Sequence, residues 1–183
     1  APQFSFTRLE GADPTLGVEM SSTGEVACLG WSFEEAFLKA LSSVGFNFPI
    51  SSVLLSTGPI ESKAAFLNSA RRLQDLGVSF YATQGTADFM LEHDIETTVL
   101  AWPLDGGSPG AVEYIKSGKI DLVINIPKHY QKEELTNDYI IRRTSVDFGI
   151  PLITNLQIAQ RLTQALTHIP MEELKVRSWS KYK

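Results

Sequence analysis

The sequence predicts an α/β fold: a doubly wound, mainly parallel sheet with helices on both faces. Three observations carry that expectation. Short apolar runs such as Val53-Leu54-Leu55-Ser56-Thr57 and Leu122-Val123-Ile124-Asn125-Ile126 are bounded by Ser, Gly or Pro, as strands buried on both faces are. Between the runs lie stretches whose apolar residues recur at helical spacing. Strand and helix then alternate throughout residues 50–167, an order that forces parallel pairing through right-handed crossovers.

Taken in order, residues 1–30 carry turns such as Gly11-Ala12-Asp13-Pro14 and little amphipathic periodicity, so they are expected to be irregular. From Ser32 the pattern changes. Ala36, Phe37, Ala40, Leu41 and Val44 recur on one face, Glu34-Glu35 stand in the first turn and Gly45 stops the run. That predicts a helix entered at Ser32. After the strand at residues 53–57, residues 62–76 supply Ala65, Phe66, Ala70 and Leu73, with Gly77 as the stop of a second helix. Residues 78–81 read as a strand, followed by a Thr/Gly turn and a helix to about His93. A strand at 97–101, a helix at 111–117 and the strand at 122–126 come next. The polar stretch from Lys128 to Asn137 reads as a loop, 139–148 as a helix, 152–154 as the last strand and 156–166 as the last helix.

Composition narrows the function. With 183 residues, 43% of them apolar, the chain can build a substantial core. Its formal charge of −5, with no Lys/Arg cluster beyond Arg71-Arg72 and Arg142-Arg143, argues against a nucleic-acid surface, which must neutralise many phosphates. A small anionic ligand needs only one or two local cations and stays open. Cys28 is the only cysteine, so an intrachain disulfide and a Cys-based metal site are excluded, and a reducing compartment fits. No apolar run reaches about 18 residues and no basic head precedes an apolar stretch, so neither a transmembrane helix nor a signal peptide is expected. Ala1-Pro2-Gln3 reads as the middle of a longer polypeptide.

The stretch most informative about chemistry is Val78 to Met90. Val78, Phe80 and Tyr81 are strand formers, Gly85 permits a tight turn, and a helical run opens at Thr86. A strand feeding a Gly/Thr turn and a helix aims backbone N–H groups at a positive helix end, so Thr83, Gly85 and Thr86 make a cradle for phosphate or carboxylate. The alternative is that Thr86 is an N-cap and Thr83 a strand-end residue. In open parallel sheets ligands sit outside the carboxyl ends of the strands, and one pocket can then draw on Lys63, Thr83, Thr86, Trp102 and Asn125. Trp102, just before Pro103, is either a core aromatic or a pocket wall. His93, His129 and His168 lack metal-ligand spacing, and Asp105 before two glycines reads as a turn former. Arg142-Arg143 reads as an exposed helix face or as a tether to the rest of a larger protein.

Two sets of motifs carry a resemblance. Gly17-Val-Glu-Met-Ser-Ser-Thr-Gly-Glu-Val26, after Ala12-Asp13-Pro14, resembles the end of the second ATP-grasp half of the carbamoyl-phosphate synthetase large chain. Tyr81-Ala-Thr-Gln-Gly-Thr-Ala87, Ile120-Asp-Leu-Val-Ile-Asn125, Ile141-Arg-Arg-Thr144 and Gly149-Ile-Pro-Leu-Ile-Thr-Asn155 are similar to the allosteric domain of the same enzyme, which has the methylglyoxal-synthase-like fold. The resemblance divides the chain into a tail of the ATP-grasp domain over 1–45, the allosteric domain over 46–167 and a C-terminal tail over 168–183.

That family makes carbamoyl phosphate from bicarbonate, ATP and ammonia, the ammonia usually coming from glutamine on a glutaminase small chain. The resemblance implies a non-catalytic fragment without cofactor of its own, within a parent that uses ATP and Mg or Mn. Its partners would be a small anionic effector, the remainder of the large chain and the small chain, with neither nucleic acid nor membrane. The effector is a nucleotide such as UMP, UTP or IMP in pyrimidine-linked members and N-acetylglutamate in the urea-cycle type. The implied effector site is Lys63, Thr83, Gly85, Thr86, Trp102, Asn125 and Lys128. Thr83 and Thr86 match the family's two anion-holding threonines, Asn125 its strand-end asparagine and Trp102 the tryptophan of the acetylglutamate type. Lys128 and Asp138 stand where that type has asparagines, which favours a cytoplasmic over a mitochondrial matrix origin. Methylglyoxal synthase, the alternative enzyme of this fold, would need an acid after Gly106-Gly107, where Ser108 stands, and a His before the Arg142-Arg143 helix, where Glu134 and Asn137 stand. A stand-alone anion-binding module would leave residues 1–30 without a purpose.

Overall fold

The computed structural model describes residues 2–3, 10–15, 24–127 and 132–182. In the first thirty residues, where the sequence offers no periodicity, β1 (Pro2–Gln3) nevertheless pairs antiparallel with β2 (Gly24–Glu25). A ladder of two residues per strand is held by a partner some twenty positions away, and local patterning carries no sign of that. The next element follows expectation. Helix α1 (Phe33–Ser43) is capped by Ser32, whose hydroxyl accepts the Glu35 N–H at 3.1 Å, and Gly45 just beyond it takes a positive φ of 99°.

From there strands and helices alternate: β3 (Ser52–Thr57), α2 (Ile60–Asp75), β4 (Ser79–Thr83), α3 (Gln84–Leu91), β5 (Thr97–Leu100), α4 (Ala111–Lys116), β6 (Leu122–Ile126), α5 (Lys132–Asp147), β7 (Leu152–Ile153) and α6 (Leu156–His168). The five strands β3 to β7 form a parallel sheet in the order β5-β4-β3-β6-β7. Central β3 is buried at every position, and its side chains divide between the two faces. Val53 and Leu55 join Ile124, Phe66, Leu38 and Leu162 on one side, while Leu54 joins Val123, Ile115 and Ile141 on the other. Helices therefore cover both faces, as the sequence predicts. No helix among the described residues is long and apolar enough to cross a membrane.

Three boundaries differ from expectation, each for a physical reason. Helix α2 begins at Ile60 rather than Ser62, because Pro59, at φ −68° and ψ 145°, already sets the entry angle. Helix α3 begins at Gln84, so Gly85 lies inside its first turn and no glycine turn is needed between strand and helix. Helix α5 takes in residues 132–137 of the predicted loop, a polar stretch whose Lys, Glu and Leu are good helix formers; residues 128–131 lie outside the described residues. Helix α1, placed by the sequence in the 1–45 tail, packs its Leu38 and Leu41 into the core that α6 covers with Leu162 and Ala165.

The C-terminal residues fold back onto α1. Lys39 donates to the Glu35 carboxylate at 2.6 Å and to the Tyr182 hydroxyl at 2.7 Å, and Arg177 donates to Glu35 at 2.8 Å. The Trp31 and Tyr182 rings sit 5.3 Å apart. The hydrogen bond from Lys39, working against burial, holds the Glu35 carboxyl below its ordinary pKa. Burial opposes the charge on Lys39, but hydrogen bonds to Glu35 and Tyr182 prevail and raise its pKa.

Candidate functional site

The strand order reverses at the centre of the sheet: β4 and β5 lie on one side of β3, β6 and β7 on the other. Loops leaving β3 and β6 therefore diverge, and a crevice opens at their carboxyl ends. A cavity of about 40 Å³ lies there. Its floor is the end of β3, Ser56-Thr57-Gly58; its sides are Thr83, Gly85 and Thr86 at the β4–α3 junction, Lys63 from α2, Trp102 after β5 and Asp138 from α5. About 40 Å³ is a few water-sized spheres, room for a carboxylate or phosphate head.

The α3 N-terminus is a donor surface. Thr83 stands at the N-cap without making a side-chain capping bond, and the first N–H groups of a helix have no partner within it. The positive end of the helix dipole adds to the attraction for an anion. Lys63 brings a cation to the same rim, its Nζ donating to the Gly85 carbonyl. A Cβ at Gly85 would lie 3.7 Å from that Nζ, an ordinary contact, so what Gly85 supplies here is backbone.

Thr86 is neither an N-cap nor an open donor. Its hydroxyl accepts the Thr57 N–H at 3.1 Å and donates to the Thr57 carbonyl at 3.2 Å, standing in for a ladder partner where β4 has already turned into α3. Asn125 departs from expectation in another way. It is fully buried and does not line the cavity; it sits one layer behind, its amide nitrogen donating to Asp138 Oδ1 at 2.8 Å and its amide oxygen accepting from Arg142 Nη1 at 2.8 Å. Of the sequence-predicted residues, Lys63, Thr83, Gly85, Thr86 and Trp102 meet around one cavity, and Lys128 lies outside the described residues.

Four further residues contribute, and of these the sequence marks only Asp138, through the resemblance. Ser56 and Thr57 are visible only as one strand end among several. Asp138 reaches the cavity because α5 starts earlier than predicted, and its Oδ1 also accepts the Ser56 hydroxyl at 3.0 Å. Asp13 closes on Arg142, which donates through Nε at 2.7 Å and through Nη2 at 2.5 Å. Arg142 is 1% exposed and grips Asp13 from the interior, while Arg143 pairs with Asp147 at 2.6 Å and also donates to the Ala12 carbonyl. Among the described residues no group of three or more His, Cys, Asp or Glu is arranged to hold a metal ion.

Known proteins share the sequence of this chain over most of its length. A model described as the MGS-like domain matches residues 65–154. The chain is 42% identical to the multifunctional protein pyr1-3 of Dictyostelium discoideum, over 98% of this chain and 8% of that protein. It is 43% identical to the mitochondrial carbamoyl-phosphate synthase (ammonia) of Aquarana catesbeiana, over 92% of this chain and 11% of that protein. Against the multifunctional protein CAD of Squalus acanthias the identity is 40%, over 90% of this chain and 8% of that protein. The chain thus spans from 8% to 11% of the length of these relatives.

Proposed function

Because residues 65–154 are an MGS-like domain and the chain is related over most of its length to carbamoyl-phosphate synthases, we propose that it is the allosteric region of a carbamoyl-phosphate synthetase large chain. A small anionic effector occupies the cavity and controls synthesis of carbamoyl phosphate from bicarbonate, ATP and glutamine-derived ammonia in the rest of the parent. The observation that supports this best is the convergence of Lys63, the α3 N-terminus and Trp102 on one cavity at the carboxyl rim of the sheet. A helix end and a lysine recognise a phosphate or carboxylate, and the indole offers a flat apolar wall to a base or an acyl chain. The effectors that the family resemblance implies, a nucleotide such as UMP, UTP or IMP, or N-acetylglutamate, each pair an anionic group with such an apolar part.

In this reading the chain itself does no chemistry. The ATP site with its Mg or Mn belongs to the preceding part of the large chain, and ammonia comes from a glutaminase small chain. The division into an ATP-grasp tail over 1–45 and an allosteric domain over 46–167 leaves α1, in the tail, packed into the core of the sheet. The effector acts only if it prefers one state of the whole enzyme, because equal affinity shifts nothing, and such couplings typically amount to about 1–3 kcal/mol.

A thermal-shift panel of UMP, UTP, IMP, ornithine and N-acetylglutamate tests the reading. A ligand at a hundred times its Kd adds about 2.7 kcal/mol to stability, which for a chain of this size is roughly 5–11 °C in Tm. One member should produce such a shift. No shift from any member, or elimination of phosphate from dihydroxyacetone phosphate at enzyme-like rates, would overturn the proposal.

A further inference from the structure

An unbroken line of hydrogen bonds runs from the cavity through the interior to the N-terminal segment. The Ser56 hydroxyl, on the cavity floor, donates to Asp138 Oδ1. The same oxygen accepts from Asn125, and Asn125 accepts from Arg142. Arg142 ends the line with a two-point grip on Asp13. Ser56, Asn125, Asp138 and Arg142 are each between 0% and 3% exposed, whereas the Asp13 side chain is 38% exposed.

We propose that this line carries the occupancy of the cavity to residues 10–15, and so toward whatever precedes this domain; the proposal rests on the effector reading given above. Asn125 stands between a carboxylate and a guanidinium, so its amide can face only one way: turned over, its oxygen would meet the carboxylate and its NH₂ the guanidinium. Charge-assisted hydrogen bonds polarise one another in a low-dielectric interior. A change at Asp138 is therefore felt at Arg142. The backbone reinforces this, because Asp138 and Arg142 lie four residues apart on α5 and so share one helix face. The same helix holds the neighbouring carbonyls, with the Tyr139 hydroxyl donating to the Gly11 carbonyl at 3.2 Å and Arg143 to that of Ala12 at 3.4 Å.

Ligand entry has a direct way to disturb the line. An anion in the cavity competes for the Ser56 hydroxyl that now serves Asp138, and a ligand hydroxyl or amine would add a donor to the same carboxylate. Either event changes the share of Asp138 Oδ1 left to Asn125. At the far end the half-exposed Asp13 can exchange its grip on Arg142 for water, which makes it the part of the line able to move.

Hydrogen–deuterium exchange of the chain alone, with UMP and with inorganic phosphate tests the proposal. The probe that protects residues 83–86 should also change exchange over residues 10–15, by roughly threefold or more, because exchange reads local opening. In Asp13→Asn the protection at 83–86 should persist while the response at 10–15 disappears. Protection at 83–86 with no response at 10–15 in the unaltered chain overturns the line and leaves the effector reading standing. If neither probe protects 83–86, the effector reading fails for these probes, and the line is judged without ligand. Asp138→Asn, or Ser56→Ala should the first not fold, must then change exchange at 10–15 by roughly the same factor, and unchanged exchange overturns it.

Discussion

Thr86→Val tests how the cavity rim is built. In the parallel register β3 runs beyond its partner, with Leu55 opposite Ala82, and β4 ends at Thr83. The Thr57 N–H, which would meet the next backbone carbonyl had β4 continued, donates instead to the Thr86 hydroxyl. Thr86 and Thr57 are 2% and 5% exposed, so water cannot replace the bond. Valine preserves the shape, leaves no cavity and has a helix propensity close to that of threonine. What remains is an unsatisfied buried N–H, costing about 1–3 kcal/mol, and the loss of the bond to the Thr57 carbonyl, about 1 kcal/mol. Thr86→Val should therefore lower stability by about 2–4 kcal/mol, roughly 4–16 °C in Tm. Thr86→Ser keeps the hydroxyl and loses one methyl, about 0.8 kcal/mol of burial, so it should lie between valine and the unaltered chain. Denaturant unfolding followed by circular dichroism reads the order directly, with the slope against denaturant expected to stay constant. Valine matching threonine, or serine falling below valine, would show that the hydroxyl does not hold the end of β3. Any loss of effector affinity in Thr86→Val then arises from displacement of Thr57 and Gly58, not from a missing donor to the ligand.

Lys63→Met should weaken anion binding by roughly 10- to 100-fold, the equivalent of one charge-assisted hydrogen bond; calorimetry showing unchanged affinity would place the anion away from α2. The docking of residues 171–182 on α1 should depend on pH in a defined sense. Glu35 has a depressed folded-state pKa, so its contribution is present above the unfolded value of about 4.3 and is lost as pH falls through the folded value. Lys39 has a raised one, so its contribution is present below about 10.4 and is lost only as pH rises beyond that. Near-ultraviolet circular dichroism of the Trp31–Tyr182 contact should thus hold steady at neutral pH and fade in acid before far-ultraviolet signal is lost. A signal that falls only with global unfolding would count against Glu35 as the anchor.

The parts of this molecule that are legible in its sequence are those that repeat locally or follow from sheet topology. Apolar runs and helical spacing give β3, β6, α1 and α6 nearly to the residue. Once the sheet is parallel, Thr83, Thr86 and Trp102 must share a rim with Ser56 and Lys63, because every strand ends on the same side. Depth and distant pairing are another matter. Asn125 ends a pocket strand, yet its side chain turns inward, and nothing in Leu-Val-Ile-Asn-Ile tells inward from outward when strands are buried on both faces. Asp13 and Arg142 are 129 positions apart, so their bond has no local trace, although a double arginine on α5 invites the idea of a tether. Asp138 shows why the missing information matters for function. A carboxylate on the wall of an anion cavity opposes binding by simple Coulomb repulsion, so a site selected for anion affinity alone would not keep one there. Its oxygen accepts from Ser56 and Asn125, and that acceptor is what connects the cavity floor to Arg142. The acid is better understood as the first joint of a connection to the N-terminal segment than as part of the ligand's own contacts.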